Sequence, residues 1–187
     1  MNVIETPLSG VLVLEPTIFR DARGFFMETY HATKYAACGI DVTFVQDNHS
    51  HSVRGTLRGL HSQRDHPQAK LCRVVQGEVF DVCVDIRQGS PTFGRWYGTV
   101  LSAENARQIF VPAGFAHGFQ VLSETADLLY KCSEFYDVND ERGIAWNDPE
   151  IGIAWHSEIA PLLSAKDAAL PILTDFVKQN SEKIATA

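Results

Sequence analysis

Val79-Phe80-Asp81-Val82-Cys83-Val84-Asp85-Ile86 is the stretch that decides the fold. It alternates with a period of two, so Phe80, Val82, Val84 and Ile86 share one face of a strand and Asp81, Cys83 and Asp85 the other. Gly89-Ser90-Pro91 ends it. Upstream, Leu71-Cys72-Arg73-Val74-Val75 runs into Gln76-Gly77, Val42-Thr43-Phe44-Val45 follows Gly39, and Val11-Leu12-Val13-Leu14 precedes Pro16. Downstream, residues 95–101, 108–111, 119–122 and 128–133 read as further strands. Short strands spaced by turn signals predict an all-β sandwich or barrel. Only residues 32–37 and 165–169 read as helical. No repeat, low-complexity tract or linker-like break divides the 187 residues. The expectation is one domain over residues 1–174, then a polar tail, 175–187, that frays or forms a loose helix.

Composition narrows the function. Hydrophobic residues make up 45%, enough for a full core and incompatible with an intrinsically disordered chain. With 16 basic against 23 acidic residues the net charge is −7, which argues against a nucleic-acid binder held by phosphate contacts. The charge is uneven. From Arg20 to Arg73 there are eight Lys/Arg and five Asp/Glu, a local +3 that leaves −10 for the remainder. Five of the seven histidines lie there too. Such a segment suits a small anionic ligand, although the same counts also fit chance clustering on a solvated face.

Cys38, Cys72, Cys83 and Cys132 show no CxxC or CxxH spacing, which argues against a zinc site, and Cys72 and Cys83 sit in apolar runs as small hydrophobes. The opening MNVIETPLSG lacks the basic start and apolar core of a signal peptide, and no apolar run approaches the ~18 residues of a membrane helix. The expectation is a soluble, reduced, cytoplasmic protein with no membrane partner.

Several segments carry candidate chemistry. Arg58-Gly59-Leu60-His61-Ser62-Gln63 places Arg and His three apart around a glycine, just before a strand; alone, this equally fits a hydrogen-bonded structural histidine. Pro112-Ala113-Gly114-Phe115-Ala116-His117 resembles the second half-motif of cupin barrels, in which that His binds a metal. The matching first half-motif needs His-x-His, and here it reads His61-Ser62-Gln63, so the ligand set is incomplete and no metal is expected. Tyr130 offers a phenol in a strand, which in isolation reads as core. Ser164 fits a helix N-cap with Asp167 at the third helical position, which leaves the Asp167 carboxylate available to fix a histidine tautomer. GxGxxG and GxxxxGK[ST] loops are missing from the sequence, so a bound diphosphate would be held by Arg and Lys side chains.

Taken together and in order, these motifs resemble the dTDP-4-dehydrorhamnose 3,5-epimerase family. The match spans about residues 1–170. It includes Phe19-Arg20-Asp21-Ala22-Arg23-Gly24-Phe25-Phe26-Met27-Glu28, Phe44-Val45-Gln46-Asp47-Asn48-His49-Ser50 and Leu57-Arg58-Gly59-Leu60-His61. It continues through Gln68-Ala69-Lys70-Leu71, Gly77-Glu78-Val79-Phe80-Asp81-Val82, Ser90-Pro91-Thr92-Phe93-Gly94 and Pro112-Ala113-Gly114-Phe115-Ala116-His117-Gly118-Phe119, then Leu129-Tyr130-Lys131, Trp146-Asn147-Asp148-Pro149 and Lys166-Asp167.

The resemblance implies a metal-free, cofactor-free cupin jelly roll that inverts C3 and C5 of a dTDP-linked 4-keto-6-deoxy hexose. Both carbons are α to the ketone, and inversion needs a base on one face of the ring and a proton donor on the other. The family pattern makes His61 the base, Asp167 its orienting carboxylate, Tyr130 the acid and Lys70 the cation beside the enolate oxygen. It carries Arg23 and Arg58 onto the diphosphate or sugar, and Phe26, Glu28, Gln46, Asp47 and Asn48 onto the nucleoside or its surroundings. His117, Glu141 and Lys166 match further substrate contacts. It also implies a homodimer with exchanged N-terminal strands.

Ser62 departs from the Tyr usual after the base, and the loop Arg64-Asp65-His66-Pro67 is more charged and shorter than usual, which bears on the sugar pocket. The alternatives are a mono-epimerase at C3 or C5, an epimerase of another nucleotide-linked 4-keto sugar, a metal-dependent cupin, and a non-catalytic sugar-nucleotide-binding jelly roll.

Overall fold

The computed structural model describes residues 1–184, with side chains described through residue 179. In chain order its strands are β1 (Asn2–Glu5), β2 (Leu12–Glu15), β3 (Ile18–Asp21), β4 (Gly24–Met27), β5 (Gln46–Val53), β6 (Leu57–Gln63) and β7 (Lys70–Gln76). They continue with β8 (Glu78–Asp85), β9 (Trp96–Ser102), β10 (Gln108–Val111), β11 (Phe115–Val121), β12 (Thr125–Cys132) and β13 (Glu141–Gly143). The helices are α1 (Ala32–Ala36), α2 (Ala165–Ala168) and α3 (Leu173–Ile184).

Six strands form one sheet in the order β1-β2-β10-β7-β12-β5, five form a second in the order β13-β6-β11-β8-β9, and β3-β4 stands apart as a hairpin. The ladders between neighbouring strands are antiparallel, and the two sheets close face to face as a cupin-type jelly roll. Inward residues of both sheets meet in one apolar cluster. Val13, Cys72, Val74, Ile109 and Leu128 come from the first sheet, and Val79, Cys83, Leu101, Phe119 and Val121 from the second. Each large aliphatic side chain buried there contributes ~1.5–3 kcal/mol.

The apolar cluster fills only part of the barrel. Along β7 the inward positions run Val74, Cys72, Lys70, and along β11 they run Val121, Phe119, His117. Two residues along a strand therefore separate a packed floor from a polar mouth.

The structure amends several sequence readings. The 79–86 run forms β8 up to Asp85, but both faces of the strand are buried, one in the barrel and the other beneath Leu173 and Phe176 of α3. Residues 42–45 join no ladder. Val42 and Phe44 pack with Tyr35 and Ile40 on the outer face of the six-stranded sheet, covering it instead of extending it. The strand begins at Gln46, in a run polar on both faces that hides its alternation. Arg58–Gln63 lies within β6 rather than ahead of a strand. Gly59, at φ +121°, faces Gly118 so closely that a Cβ on Gly59 would come 2.7 Å from the Gly118 Cα, and only glycine allows β6 and β11 to meet there. The boundary set at 174/175 falls inside α3, whose Leu173 and Phe176 are buried; residues 185–187 lie outside the described residues.

Candidate active site

A cavity of about 610 Å³ opens at the polar end of the barrel. The strands deliver most of its wall: Gln46 and Asn48 from β5, Lys70 from β7, His117 from β11 and Tyr130 from β12, with Arg58 and His61 of β6 brought to the same side, three residues apart, where the β6–β11 register shifts. Glu141 of β13 and Lys166 and Asp167 of α2 complete it.

His61 Nε2 lies 2.5 Å from Asp167 Oδ1. The pairing depends on α2, where Ser164 caps the helix by accepting from the Asp167 backbone N–H at 3.0 Å and donates its hydroxyl to Asp167 Oδ2 at 2.7 Å. Burial opposes the charge on Asp167, but hydrogen bonds from His61 and Ser164 outweigh it and hold the carboxyl below its ordinary range. With Nε2 engaged, Nδ1 of His61 is left to the cavity, and it has no hydrogen-bond partner among the described residues.

On another wall, burial pushes the Tyr130 phenol up to about 12, so it is protonated at neutral pH. Its hydroxyl bonds to no described residue, unlike a satisfied core tyrosine, and Lys70 Nζ sits 6.0 Å from the ring centroid. Neither Lys70 nor Arg58 has a carboxylate within ion-pair distance among the described residues, while Lys166 is paired with Glu141 at 2.8 Å. The cavity therefore holds two uncompensated cations; of the eight basic residues between Arg20 and Arg73 only these two line it, and the others lie elsewhere.

Four expected residues lie elsewhere. Asp47 faces outward, because alternation along β5 turns Gln46 and Asn48 inward and Asp47 out, where it pairs with Lys131 at 2.9 Å. Arg23 and Phe26 sit on the β3–β4 hairpin, the Arg23 side chain 90% exposed and, among the described residues, bound only to Asp21. Glu28 follows the hairpin and pairs with Lys34. Ser62 borders the cavity, but alternation along β6 turns its side chain to the face of Leu60, away from that of His61, and its buried Oγ has no partner among the described residues.

The cavity also contains residues the sequence reading passed over. Tyr136 donates to Glu141 at 2.7 Å, and Gln68, Ser50 and Cys132 contribute to the wall. Ser50 was accessible through the i, i+2 spacing from Asn48; Tyr136 lies in a loop without periodic signal.

Cys72, Asp81 and His117 bring ligand-type atoms within 4.8 Å of one another. They do not fit a metal. His117 Nε2 is committed to both Asp81 oxygens at 2.9 and 3.0 Å, and burial holds the Cys72 thiol well above its ordinary value, far from the thiolate a metal takes.

A jelly roll whose mouth gathers an oriented imidazole, a free phenol and unpaired cations is that of a cupin-type acid–base enzyme for an anionic ligand. Residues 5–175 match the family described as dTDP-4-dehydrorhamnose 3,5-epimerase. A Pseudomonas aeruginosa protein of that name is 56% identical over 168 residues, which is 89% of this chain and 93% of that protein. A Neisseria gonorrhoeae protein of the same name is 54% identical over 169 residues, 90% of this chain; the chain spans about half (52%) of that longer relative. The crystal structure of dTDP-6-deoxy-D-glucose-3,5-epimerase from Legionella pneumophila, in complex with dTDP-4-keto-L-rhamnose, superposes with a TM-score of 0.91 at 50% identity, covering 92% of this chain and 93% of that one. The chain belongs to the dTDP-4-dehydrorhamnose 3,5-epimerase family.

Proposed function

We propose that this protein inverts C3 and C5 of dTDP-4-dehydro-6-deoxy-D-glucose to give dTDP-4-dehydro-L-rhamnose. The observation that carries the reading is the pairing of His61 with Asp167 in one wall of a cavity whose other wall holds an unbonded phenol, Tyr130.

Asp167 takes the Nε2–H, so Nδ1 of His61 is the base. It removes the proton from the carbon next to the ketone. The C–H pair becomes the enolate double bond and the carbonyl pair moves onto O4, where the Lys70 ammonium offsets the charge. Tyr130 then donates its phenolic proton to the opposite face of the same carbon. The phenolate regains a proton as the imidazolium loses one, so each inversion returns the site to its starting state. The ketone itself acidifies both positions, and the mechanism calls on no cofactor. Arg58 binds the diphosphate as an uncompensated guanidinium. Gln46 and Asn48 line the route to the nucleoside, and Glu141, Lys166 and His117 contact the substrate.

Arg23, Phe26 and Glu28 serve the cavity of a second copy. Their own chain leaves them outside its cavity, and the hairpin exposes Phe19, Phe25 and Phe26 at 62, 62 and 70%. Arg23→Ala and His61→Ala chains, each inactive alone, are expected to recover activity in about a quarter of sites when unfolded and refolded together, because one site of each mixed dimer is intact. Failure to recover would place the hairpin's residues out of reach. The four free thiols support a reducing, cytoplasmic setting, and among the described residues no helix is long and apolar enough to cross a membrane.

The direct test is incubation with dTDP-4-keto-6-deoxy-D-glucose in D2O. Deuterium at both C3 and C5 is expected; deuterium at one carbon would make the protein a mono-epimerase.

A further inference from the structure

Arg58 stands in the cavity wall without a carboxylate to pair with, yet its side chain is not loose. Its Nε donates to Ser52 Oγ at 3.1 Å, and no other hydrogen bond fixes the guanidinium among the described residues. The bond joins the two sheets. Ser52 belongs to β5, at the edge of the six-stranded sheet, and Arg58 to β6, in the five-stranded one. Ser52 continues the inward row of Gln46, Asn48 and Ser50, but it is only 4% exposed and lies behind the cavity wall rather than in it. Arg58 itself is exposed. The guanidinium is thus anchored at its root and open at its far end.

A guanidinium carries its N–H donors in one rigid plane and stays charged throughout the working pH range of a protein. With Nε–H taken by Ser52, the donors on Nη1 and Nη2 remain free, and the bond at the base sets the plane of the fork. Such a fork can meet two oxygens of a phosphate at once. The neutrality of the acceptor matters as much as its place. Four other arginines are oriented by carboxylates: Arg23 by Asp21, Arg64 by Asp65, Arg87 by Asp85 and Arg107 by Glu15. Each of those partners offsets the charge that it orients. Arg58 is held by a hydroxyl, which fixes the direction and leaves the whole charge to a ligand.

We propose that Ser52 is a positioning residue for the diphosphate: by accepting from Nε it aims the Nη fork of Arg58 into the cavity without neutralising it, so the fork is set before the ligand arrives. This rests on the reading of the cavity as a site for a dTDP-linked sugar. The gain is preorganisation, because an arginine that is free before binding gives up its rotamer freedom on binding. The diphosphate takes no part in the bond changes at C3 and C5, so a misaimed fork weakens substrate and transition state alike.

The test is a titration of dTDP, and of thymidine, which lacks the diphosphate, into wild type, Ser52→Ala, Arg58→Ala and the double variant. Ser52→Ala is expected to weaken dTDP roughly 3- to 10-fold, the weight of one hydrogen bond, and to leave thymidine within about twofold. KM should rise by the same factor, with kcat within about twofold of wild type. In the Arg58→Ala background, Ser52→Ala should change dTDP affinity no further, since nothing is left to aim. Unchanged dTDP affinity in Ser52→Ala, or an equal loss for dTDP and thymidine, overturns the proposal. So does a full Ser52→Ala effect in the Arg58→Ala background. If Ser52→Ala does not fold, wild type labelled with 15N at arginine decides the matter. An ordered Nε–H signal from Arg58, assigned through Arg58→Lys, is expected in the ligand-free protein, and a motionally averaged one overturns the proposal. Ser52-dependent dTDP binding without deuterium entry at C3 or C5 in the wild type would overturn the epimerase reading and leave the role of Ser52 standing.

Discussion

The barrel mouth holds two imidazole–carboxylate pairs that differ in how they are built. His61 is 25% exposed, and its carboxylate comes from α2, a short helix outside the sheets that Ser164 caps. His117 is 8% exposed, and its carboxylate comes from the neighbouring barrel strand. The difference teaches that access, more than residue type, sets the duty of a pair. An open imidazole oriented from behind can take and return a proton. A sealed one, held against both oxygens of a fully buried carboxylate, is a fixed part of the cavity wall.

The sharpest way to break this comparison is to delete the open histidine. His61→Ala is expected to lower turnover by ~10²–10⁴, the usual weight of a general base, and to stop deuterium entry at both carbons. Tyr130→Phe comes next. Inversion is expected to fall by roughly 10² while exchange continues, because the base still forms the enolate but the opposite face lacks its donor. The raised Tyr130 value also fixes a pH expectation. The fold favours the neutral phenol, so that contribution to stability is complete below the ordinary value of 10.0 and fades only as pH rises toward about 12. A phenolate absorbance titration of wild type against Tyr130→Phe should show the difference appearing above pH 10.0. An earlier transition would mean that the phenol is not buried.

Asp167→Asn sharpens the comparison at smaller scale. It removes a charge-assisted bond of ~1.5–3 kcal/mol, so kcat should fall ~10- to 10²-fold with KM little changed. Ser164→Ala acts one step further out. Loss of the cap is expected to remove ~1 kcal/mol and lower Tm by ~2–4 °C, with activity largely kept. A larger loss of activity than of stability would show that Ser164 acts through Asp167.

Much of this was legible in the chain. The strand over 79–86 and the strand at 108–111 were legible as short apolar runs bounded by turn signals, although both faces of each are buried. Ten of the expected site residues reached one cavity, eight of them from strands of the barrel and two, Lys166 and Asp167, from α2. What stayed hidden has physical reasons. Asp47 sits between two inward residues, and a polar strand gives no sign of which face is which. Residues 42–45 have strand composition but spend it on covering a sheet. The burial of Asp81 inside the barrel depends on the two sheets closing over it and on β11, distant in sequence, supplying its partner His117.

The measurement that bears most directly on the two pairs is deuterium exchange by His61→Ala and by Asp81→Asn, each in D2O with dTDP-4-keto-6-deoxy-D-glucose. The open base predicts no exchange at C3 or C5 in His61→Ala and slow exchange at both in Asp81→Asn. Normal exchange in His61→Ala, with none in Asp81→Asn, would contradict it and assign the base to His117.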